Sequence, residues 1–276
     1  MTTVSIVLYK NSLEECYAVL EPLVKSNAEK IFLIDHSGNT KLEILTGYSP
    51  KITYMPHKNT GYGAGHNFAL KEALKINPDG FHLVMNPDII LSSDDISKLE
   101  HFMSQFPTVG CCMPRILNID GSNQRLCKYL PSPMDLVLKR FFPWFVRKRI
   151  KHLSMGDCDY DKILSVPWLS GCFMFMRIEA FNRTGGFDER FFLYAEDIDL
   201  SRRIHLHYET VYCPDVTVKH LHQAGSYHSL KLLVIHIIST IQYFDKWGGW
   251  FDSKIRDSVN EKARARNQAG IILPRS

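Results

Sequence analysis

The stretch Phe81-His-Leu-Val-Met-Asn-Pro-Asp88 has the pattern of a buried strand that ends by presenting a carboxylate. Its first five residues are mostly apolar and are long enough for a strand. The sequence Asn86-Pro87-Asp88 follows at once, and these residue types favour a turn. The stretch therefore predicts a strand of a central sheet, with Asp88 at its carboxyl end.

Segments around this strand alternate between strand-like and helix-like patterns over the first 116 residues. Strands are predicted at residues 4–9, 31–35, 51–55, 81–85 and 109–113, and helices at residues 13–24, 65–76 and 93–106. Such an alternation is typical of parallel strands that are joined by crossover helices. The sequence therefore predicts an α/β fold.

The second half of the chain has fewer periodic signals. Residues 118–164 predict little regular structure, and residues 139–151 contain six basic residues and no acidic one. The pattern after this segment predicts strands at residues 172–177 and 209–219, and helices at residues 196–206 and 230–244. The last of these helices is apolar over most of its length.

The composition limits the classes of protein to which the chain can belong. Its 276 residues are 45% hydrophobic and 22% charged, which is enough for a folded core. A net charge of +4, without a recognisable reading module, argues against nucleic acid as a partner. The longest uncharged stretch, residues 163–176, is shorter than the roughly 18 residues of a membrane span. Because the amino terminus does not resemble a signal peptide, we expect a cytoplasmic protein with seven reduced cysteines.

Polar residues follow the predicted strands at their carboxyl ends, where open α/β sheets bind ligands. Tyr9, Asp35 and Ser37 follow the first two strands, and the glycine-rich residues 59–67 follow the third. A glycine-rich turn into a helix lets backbone N–H groups approach a diphosphate, although the G-x-G-x-G spacing is neither the dinucleotide nor the Walker pattern. Asp35 is also compatible with a turn that its side chain caps, and the glycines with a flexible loop.

Asp88 and a pair of histidines have the chemistry of metal ligands. A carboxylate at the end of a buried strand suits the hard cation that a diphosphate leaving group requires. The alternative is that Asp88 caps the following turn. His220 and His222 lie on one face of a predicted strand, where they suit a metal or a phosphate, or remain ordinary surface residues.

Three acidic residues, Glu196, Asp197 and Asp199, begin a predicted helix directly after a run of aromatic residues. The helix dipole favours acids at this position, which is a purely structural reason for them. Neighbouring aromatic rings would also partly desolvate a carboxylate, and such a carboxylate is a competent general base.

The order of these motifs resembles that of the inverting nucleotide-sugar glycosyltransferases of the GT-A fold, and more narrowly the bacterial rhamnosyltransferases that build O-antigens and capsules. The resemblance covers residues 4–226 and rests, in chain order, on Asn59-x-Gly61 to Asn67, Asn86-Pro87-Asp88, Ser170-Gly171, Gly186-Phe187-Asp188, Glu196-Asp197 and His220. It implies a Rossmann-like, mostly parallel sheet flanked by helices. The catalytic domain would span residues 1–226, with a nucleotide-binding half at 1–116, an acceptor and catalytic half at 117–226, and a C-terminal helical extension at 227–276.

The resemblance also implies roles for individual residues. The nucleotide and diphosphate of the donor are expected at Tyr9, Asp35, Ser37, Asn59, Gly61, Gly63, Gly65, Asn67 and Asp88. The sugar and the acceptor are expected at Trp168, Ser170, Gly171 and Glu196. Asp197 would be the catalytic base, while Asp88 and His220 would hold a divalent cation, Mg²⁺ or Mn²⁺.

The implied reaction moves L-rhamnose from dTDP-L-rhamnose onto a lipid-linked surface glycan. Donors such as a UDP-hexose or UDP-galactofuranose are alternatives, as is a catalytically silent glycan-binding subunit of the same fold. Two departures from the family pattern leave details open. Asn-Pro-Asp replaces the D-x-D motif, so the need for a metal is undecided, and His36 stands where many relatives have an amide. His222 competes with His220 as the ligand.

The basic segment and the apolar C-terminal helix suit peripheral contact with the cytoplasmic face of the inner membrane. Phe141, Phe142, Trp144 and Phe145 would lie at the headgroups, while the basic side chains meet anionic lipid. The alternative is a solvated loop whose aromatic residues pack on the core. The apolar C-terminal helix has two alternatives of its own: it covers the catalytic domain, or it forms a homodimer contact.

Overall fold

The predicted strand at residues 81–85 is present with these bounds and is completely buried. The computed structural model of the protein describes residues 1–135, 144, 147–221, 230–270 and 273. Its strands are β1 (Thr2–Leu8), β2 (Ala28–Asp35), β3 (Ile52–Pro56), β4 (Phe81–Met85), β5 (Ile89–Ile90), β6 (Val109–Leu117), β7 (Leu164–Ser165), β8 (Phe173–Arg177) and β9 (Glu209–His220). Its α-helices are α1 (Leu13–Lys25), α2 (Tyr62–Ile76), α3 (Asp95–Gln105), α4 (Arg147–Leu153), α5 (Ile178–Arg183), α6 (Glu196–His205), α7 (Leu230–Lys246) and α8 (Ser253–Ala269).

The strands form one mixed sheet in the order β3-β2-β1-β4-β8-β6-β9-β5, with β7 paired to β9. The first four strands in this order are parallel, as the alternation predicted. β8 lies antiparallel between β4 and β6, and β6 and β9 are again parallel. The α/β prediction is therefore confirmed, and the two halves of the chain share one sheet.

The first residues of helices α1 and α2 are fixed by a capping box and by a glycine turn. α1 follows Ser12, whose hydroxyl accepts the Glu15 N–H at 3.1 Å while the Glu15 carboxylate accepts the Ser12 N–H at 2.9 Å. α2 begins at Tyr62, three residues earlier than predicted. Gly61 precedes it with a φ of 119°, and a Cβ there would lie 2.6 Å from the Phe192 carbonyl oxygen. Glycine is required at this turn because any side chain would be both strained and crowded.

The two C-terminal helices pack against the rest of the chain through buried polar contacts. Lys246, at the end of α7, lies 2.7 Å from the carboxylate of Asp199 in α6. Asn260, in α8, hydrogen-bonds both backbone groups of Leu130 at 2.9 Å. The first contact holds α7 against α6, and the second holds α8 against the loop that contains Leu130.

Two predictions from composition concern the cysteines and the membrane. All seven cysteines are free thiols, as predicted; six are buried, and Cys158 is partly exposed. Across the part of the chain that the structure describes, no helix combines the length and the hydropathy that crossing a bilayer requires.

Candidate active site

A cavity of about 1140 Å³ opens at the carboxyl ends of β1, β2 and β4. The start of α6, the end of β9 and the first turns of α7 complete its wall. Eight of the predicted site residues line it: Tyr9, Asn59, Asp88, Ser170, Gly171, Glu196, Asp197 and His220. The fold therefore brings together side chains from both ends of the chain, at the edge of the sheet where the sequence predicted a ligand.

Asp88 and His220 lie at neighbouring strand ends. Ile89 pairs with His220 in the β5–β9 ladder, and the Leu221 N–H donates to the Asp88 carbonyl oxygen at 2.8 Å. His220 Nε2 lies 3.2 Å from Asp88 Oδ1. Adjacent ligands that each lie about 2.1 Å from one metal ion are separated by roughly 3 Å. The pair therefore fits two positions around a divalent cation.

The protein would supply only part of such a coordination shell. Within the described ranges, no group of three or more His, Cys, Asp or Glu side chains is placed to hold a metal. His222, the alternative ligand that the sequence leaves open, lies outside those ranges. Because Mg²⁺ is often bound by one or two carboxylates together with substrate phosphates, two protein ligands suit a cation that binds with a diphosphate.

Asp197 lies in the first turn of α6, where two backbone N–H groups anchor its carboxylate. Gly171 N donates to Oδ2 at 3.1 Å, and Ile198 N donates to Oδ1 at 2.7 Å. A Cβ on Gly171 would lie 3.1 Å from Asp197 Cβ, so the loop comes this close because it has no side chain there. Each carboxylate oxygen keeps a second lone pair, with which Asp197 can accept a proton from a ligand in the cavity.

Glu196, the neighbour of Asp197, also faces the cavity but is only 5% exposed. Its Oε2 has no hydrogen-bond partner among the described residues. Burial, and then the negative charge of Asp197, raise the pKa of Glu196 to about 8. A glutamic acid that keeps its proton near pH 7 can both donate and accept a hydrogen bond, which suits it to a sugar hydroxyl.

The turn before α6 contains two consecutive residues in the left-handed conformation. Tyr194 has a φ of 68° and Ala195 a φ of 66°, and neither is glycine. Such a conformation costs an L-residue roughly 1–2 kcal/mol and persists where the surroundings hold it. The Tyr194 and His236 rings meet edge to face with centroids 5.0 Å apart, and the Ser239 hydroxyl donates to the Leu193 carbonyl oxygen at 2.8 Å. Helix α7 therefore supports the turn that orients the carboxylates of α6.

Tyr62 is a site residue that the sequence analysis did not single out. It lines the cavity, and its Oη lies 2.9 Å from Asn86 Oδ1 and 2.8 Å from the Gly171 carbonyl oxygen. Burial raises the pKa of this phenol well above its ordinary value, so it stays neutral. Tyr62 thus connects the loop that precedes Asp88 to the loop that contacts Asp197. The sequence signal that could have identified Tyr62 is its position between two glycines of the glycine-rich motif.

The glycine-rich stretch is packed inside the protein. A Cβ on Gly63 would lie 2.7 Å from Phe187 Cβ, and one on Gly65 would lie 2.7 Å from Val7 Cγ2. Asn67 donates to the Phe187 carbonyl oxygen and accepts the Phe187 N–H, both at 2.8 Å. Neither these two glycines nor Gly61 and Asn67 are part of the cavity wall. Their contacts explain the residue types by close packing, and direct contact with a diphosphate stays a prediction.

Asp35, Ser37 and Trp168 also lie away from the wall. The Asp35 carboxylate accepts the Ser37 N–H at 2.8 Å and the Tyr54 hydroxyl at 2.8 Å, which is the turn capping that the sequence left open. The Trp168 ring lies under the Lys128 ammonium, 4.2 Å from its centroid. None of the three is part of the cavity wall, and their contacts with donor or acceptor stay a prediction.

Comparisons with known proteins show which sequences this chain resembles. Residues 35–234 match the model of the family described as glycosyltransferase like family 2. N-acetylglucosaminyl-diphospho-decaprenol L-rhamnosyltransferase of Mycobacterium tuberculosis is 30% identical over 225 residues, which cover 75% of this chain and 71% of that protein. Rhamnosyltransferase WbbL of Escherichia coli K12 is 26% identical over 226 residues, which cover 78% of this chain and 81% of WbbL.

Solved structures of low sequence identity share the fold. A mannosyltransferase from Pyrobaculum calidifontis, solved with GDP-Man and Mn²⁺, matches 98% of this chain and 70% of its own at 15% identity, with a TM-score of 0.59. GalNAc-T7, solved with UDP, GalNAc and Mn²⁺, matches 97% of this chain at 14% identity, with a TM-score of 0.62. The present chain covers 54% of that longer protein. The GT-A fold that the motif order implied is confirmed.

Proposed function

Since the chain belongs to glycosyltransferase family 2, we propose that it transfers L-rhamnose from dTDP-L-rhamnose, with inversion, to a lipid-linked bacterial surface glycan such as an O-antigen or capsule precursor. The names of the two curated relatives support rhamnose as the sugar, and the mycobacterial name includes a diphospho-decaprenol. The observation that carries the proposal is one cavity that contains both an anchored carboxylate, Asp197, and the Asp88–His220 pair.

Asp197 is the proposed general base of a single displacement. One of its carboxylate oxygens takes the proton from the acceptor hydroxyl as the hydroxyl oxygen attacks the anomeric carbon of the donor. The bond between that carbon and the diphosphate oxygen breaks on the opposite face, so the anomeric configuration inverts. The N–H groups of Gly171 and Ile198 hold the carboxylate in place throughout.

Asp88 and His220 are the proposed ligands of a divalent cation, Mg²⁺ or Mn²⁺. When bound, such a cation neutralises the negative charge that develops on the departing nucleoside diphosphate. The 3.2 Å between the two ligand atoms supports this assignment. It is also supported by the Mn²⁺ in the two solved structures of the same fold.

The remaining predicted residues divide into two groups in the proposal. The donor nucleotide and diphosphate would contact Tyr9, Asp35, Ser37, Asn59, Gly61, Gly63, Gly65 and Asn67, of which Tyr9 and Asn59 line the cavity. Ser170, Gly171 and Glu196 would contact the sugar and the acceptor, because they surround the proposed base on the cavity wall. Trp168 would shape this part of the site from outside the wall.

Helix α7 offers a surface for the membrane that carries a lipid-linked acceptor. Its residues Lys231, Leu232 and Ile235 line the cavity. Further apolar side chains with helical spacing are exposed, namely Leu230, Val234, Ile237, Ile238 and Ile241. We propose that this apolar stripe lies in the surface of the inner membrane, which would bring a lipid diphosphate to the mouth of the cavity.

The predicted aromatic contacts with lipid remain part of this proposal. Trp144 is 71% exposed, whereas Phe141, Phe142 and Phe145 lie outside the described residues. Replacing Ile237 and Ile241 together by Glu should reduce the fraction of protein that floats with anionic liposomes. Ile44→Glu is the matched control, because Ile44 is 65% exposed, close to the 63% of Ile241, and lies between β2 and β3 at the other edge of the sheet. An unchanged bound fraction in the double variant would contradict the membrane assignment.

The activity is tested with purified protein, Mn²⁺, dTDP-L-rhamnose and a short-chain prenyl-diphospho-N-acetylglucosamine. We expect acceptor-dependent release of dTDP and a product whose new linkage has the configuration opposite to that of the donor. Faster turnover with UDP-glucose or UDP-galactofuranose would replace the donor in the proposal. Nucleotide binding with no turnover of any donor would favour the silent glycan-binding subunit.

A further inference from the structure

Gln124 contacts the proposed metal ligand His220 from a part of the chain in which the sequence predicted no site residue. It follows β6, where its backbone N–H donates to the Ile116 carbonyl oxygen at 2.9 Å. Its side chain lines the cavity, with Oε1 3.1 Å from His220 Nδ1. The two residues are 96 positions apart, so only the folded chain brings them together.

This contact places a proton on Nδ1 of His220. An amide oxygen can only accept a hydrogen bond, so Nδ1 must be the donor to Gln124 Oε1. In a neutral imidazole the other nitrogen, Nε2, then presents a lone pair. That lone pair is directed to the space that it shares with Asp88 Oδ1, 3.2 Å away. A divalent cation that binds both residues would use this lone pair together with one from Asp88 Oδ1.

We propose that Gln124 is a positioning residue that holds His220 in the Nδ1–H tautomer and so presents Nε2, together with Asp88, to the divalent cation. The inference rests on the metal site of the proposed function. Metal-binding histidines usually donate their second N–H to an oxygen acceptor, which fixes the ring and its tautomer. Gln124 supplies that acceptor here.

The test compares two substitutions of Gln124, of which only one keeps an oxygen acceptor. Gln124→Met keeps the length of the side chain but has no oxygen, whereas Gln124→Glu keeps an oxygen acceptor for the Nδ1–H. The affinity for Mn²⁺ is measured by electron paramagnetic resonance of the free ion at saturating dTDP. We expect Gln124→Met to weaken Mn²⁺ binding by about 10- to 100-fold and Gln124→Glu to retain it.

A second glutamine–histidine pair provides the control. Gln105 Nε2 lies 3.0 Å from His101 Nε2 on the exposed surface of α3, so Gln105→Met removes the same kind of contact away from the cavity. Its Mn²⁺ affinity should equal that of the wild type. Thermal melting of each variant, without metal, separates a loss of affinity from a loss of folded protein.

The outcomes separate this inference from the proposed metal site. If His220→Ala loses Mn²⁺ affinity but Gln124→Met does not, the metal site stands and the role of Gln124 is overturned. Equal weakening in Gln124→Met and Gln124→Glu also overturns it, because an oxygen acceptor would then be irrelevant. If the wild type and His220→Ala bind Mn²⁺ equally, both the metal site and the inference fail.

Discussion

The guanidinium of Arg202, in α6, is completely buried and donates to Asp252 Oδ2 at 2.7 Å and also to Oδ1. Asp252 directly precedes α8, so this ion pair connects the helix that begins with Glu196 and Asp197 to the C-terminal helices. The Trp247 ring covers the same guanidinium, 3.9 Å from its centroid. The C-terminal extension therefore closes the back of the helix that carries the proposed base.

Breaking this pair should destabilise the whole protein. Asp252→Asn leaves a buried guanidinium without a compensating charge, and such a change typically costs about 3–5 kcal/mol of the free energy of unfolding. Urea denaturation measures the effect. Lys25→Ala, which breaks the exposed Lys25–Glu21 pair, is the control and should change nothing measurable. Similar small effects for both variants would show that the buried pair contributes little.

Removing the proposed base should abolish transfer and preserve donor binding. Asp197→Asn keeps the size of the side chain but cannot accept the proton, so we expect kcat to fall by about 10²–10⁴-fold. The dissociation constant for dTDP, measured by calorimetry, should stay near that of the wild type. Asp215→Asn, at an exposed position of β9, is the matched control. A fully active Asp197→Asn protein would exclude this residue as the base.

Removing the carboxylate of Asp88, just after β4, should make the binding of dTDP independent of the divalent cation. In the wild type we expect Mn²⁺ to strengthen dTDP binding, because the cation would be shared between Asp88, His220 and the diphosphate. Asp88→Ala should bind dTDP equally well with and without Mn²⁺. Asp79→Ala removes an exposed acid near the other end of the same strand and should behave like the wild type. A persisting Mn²⁺ effect in Asp88→Ala would count against the metal role.

The buried acid Glu196 should make stability depend on pH. Its pKa is raised to about 8 in the folded protein, above the ordinary value of 4.5, so the folded state binds more protons than the unfolded state between these values. Its contribution is therefore complete at low pH and is lost as the pH rises toward 8.

Glu196→Gln, which cannot ionise, removes this dependence. The melting temperature of the variant relative to the wild type should rise as the pH increases from 5.5 to 8. Buried histidines such as His82, whose pKa is lowered to about 3, have the opposite pH dependence but are present in both proteins and cancel in the comparison. A difference in melting temperature that does not change with pH would refute the raised pKa.

The left-handed turn before α6 allows a test of backbone strain. Ala195→Gly should leave the free energy of unfolding within about 0.5 kcal/mol of the wild type or increase it, because glycine adopts a φ near 66° without strain. The same substitution at Ala265, exposed inside α8, should destabilise by about 1 kcal/mol. We also expect Ala195→Gly to lower kcat, because the backbone before Asp197 becomes freer. A loss of stability at Ala195 as large as that at Ala265 would argue against strain.

Local pattern was enough to locate most elements of the sheet. The strand at residues 81–85 and the helix that starts at Glu196 have the predicted positions, because apolar runs and clustered acids act over a few residues. The position of β8 between β4 and β6 could not be predicted, since strand order depends on pairing between distant segments. The start of α2 was predicted three residues too late for the same reason. The conformation of Gly61, which precedes the helix, depends on its close approach to the distant residue Phe192.

The motifs also identified much of the cavity wall. Asp88, Glu196, Asp197 and His220 line one cavity, although the sequence placed them only by motif order. Tyr62 was not singled out, because its part in the site depends on the Gly171 carbonyl oxygen in a distant loop. The packing of the predicted diphosphate loop against Phe187 and Val7 was hidden for the same reason.

The sequence alone determined the residue types, the α/β alternation and the family, because short-range periodicity and motif order are written along the chain. The tertiary structure decided which of those residues line one cavity and which lie outside its wall. It also decided that Gln124 meets His220 and that the C-terminal helices hold α6. These relationships depend on distances between segments that are remote in sequence, and only the packing of the sheet and its helices sets such distances.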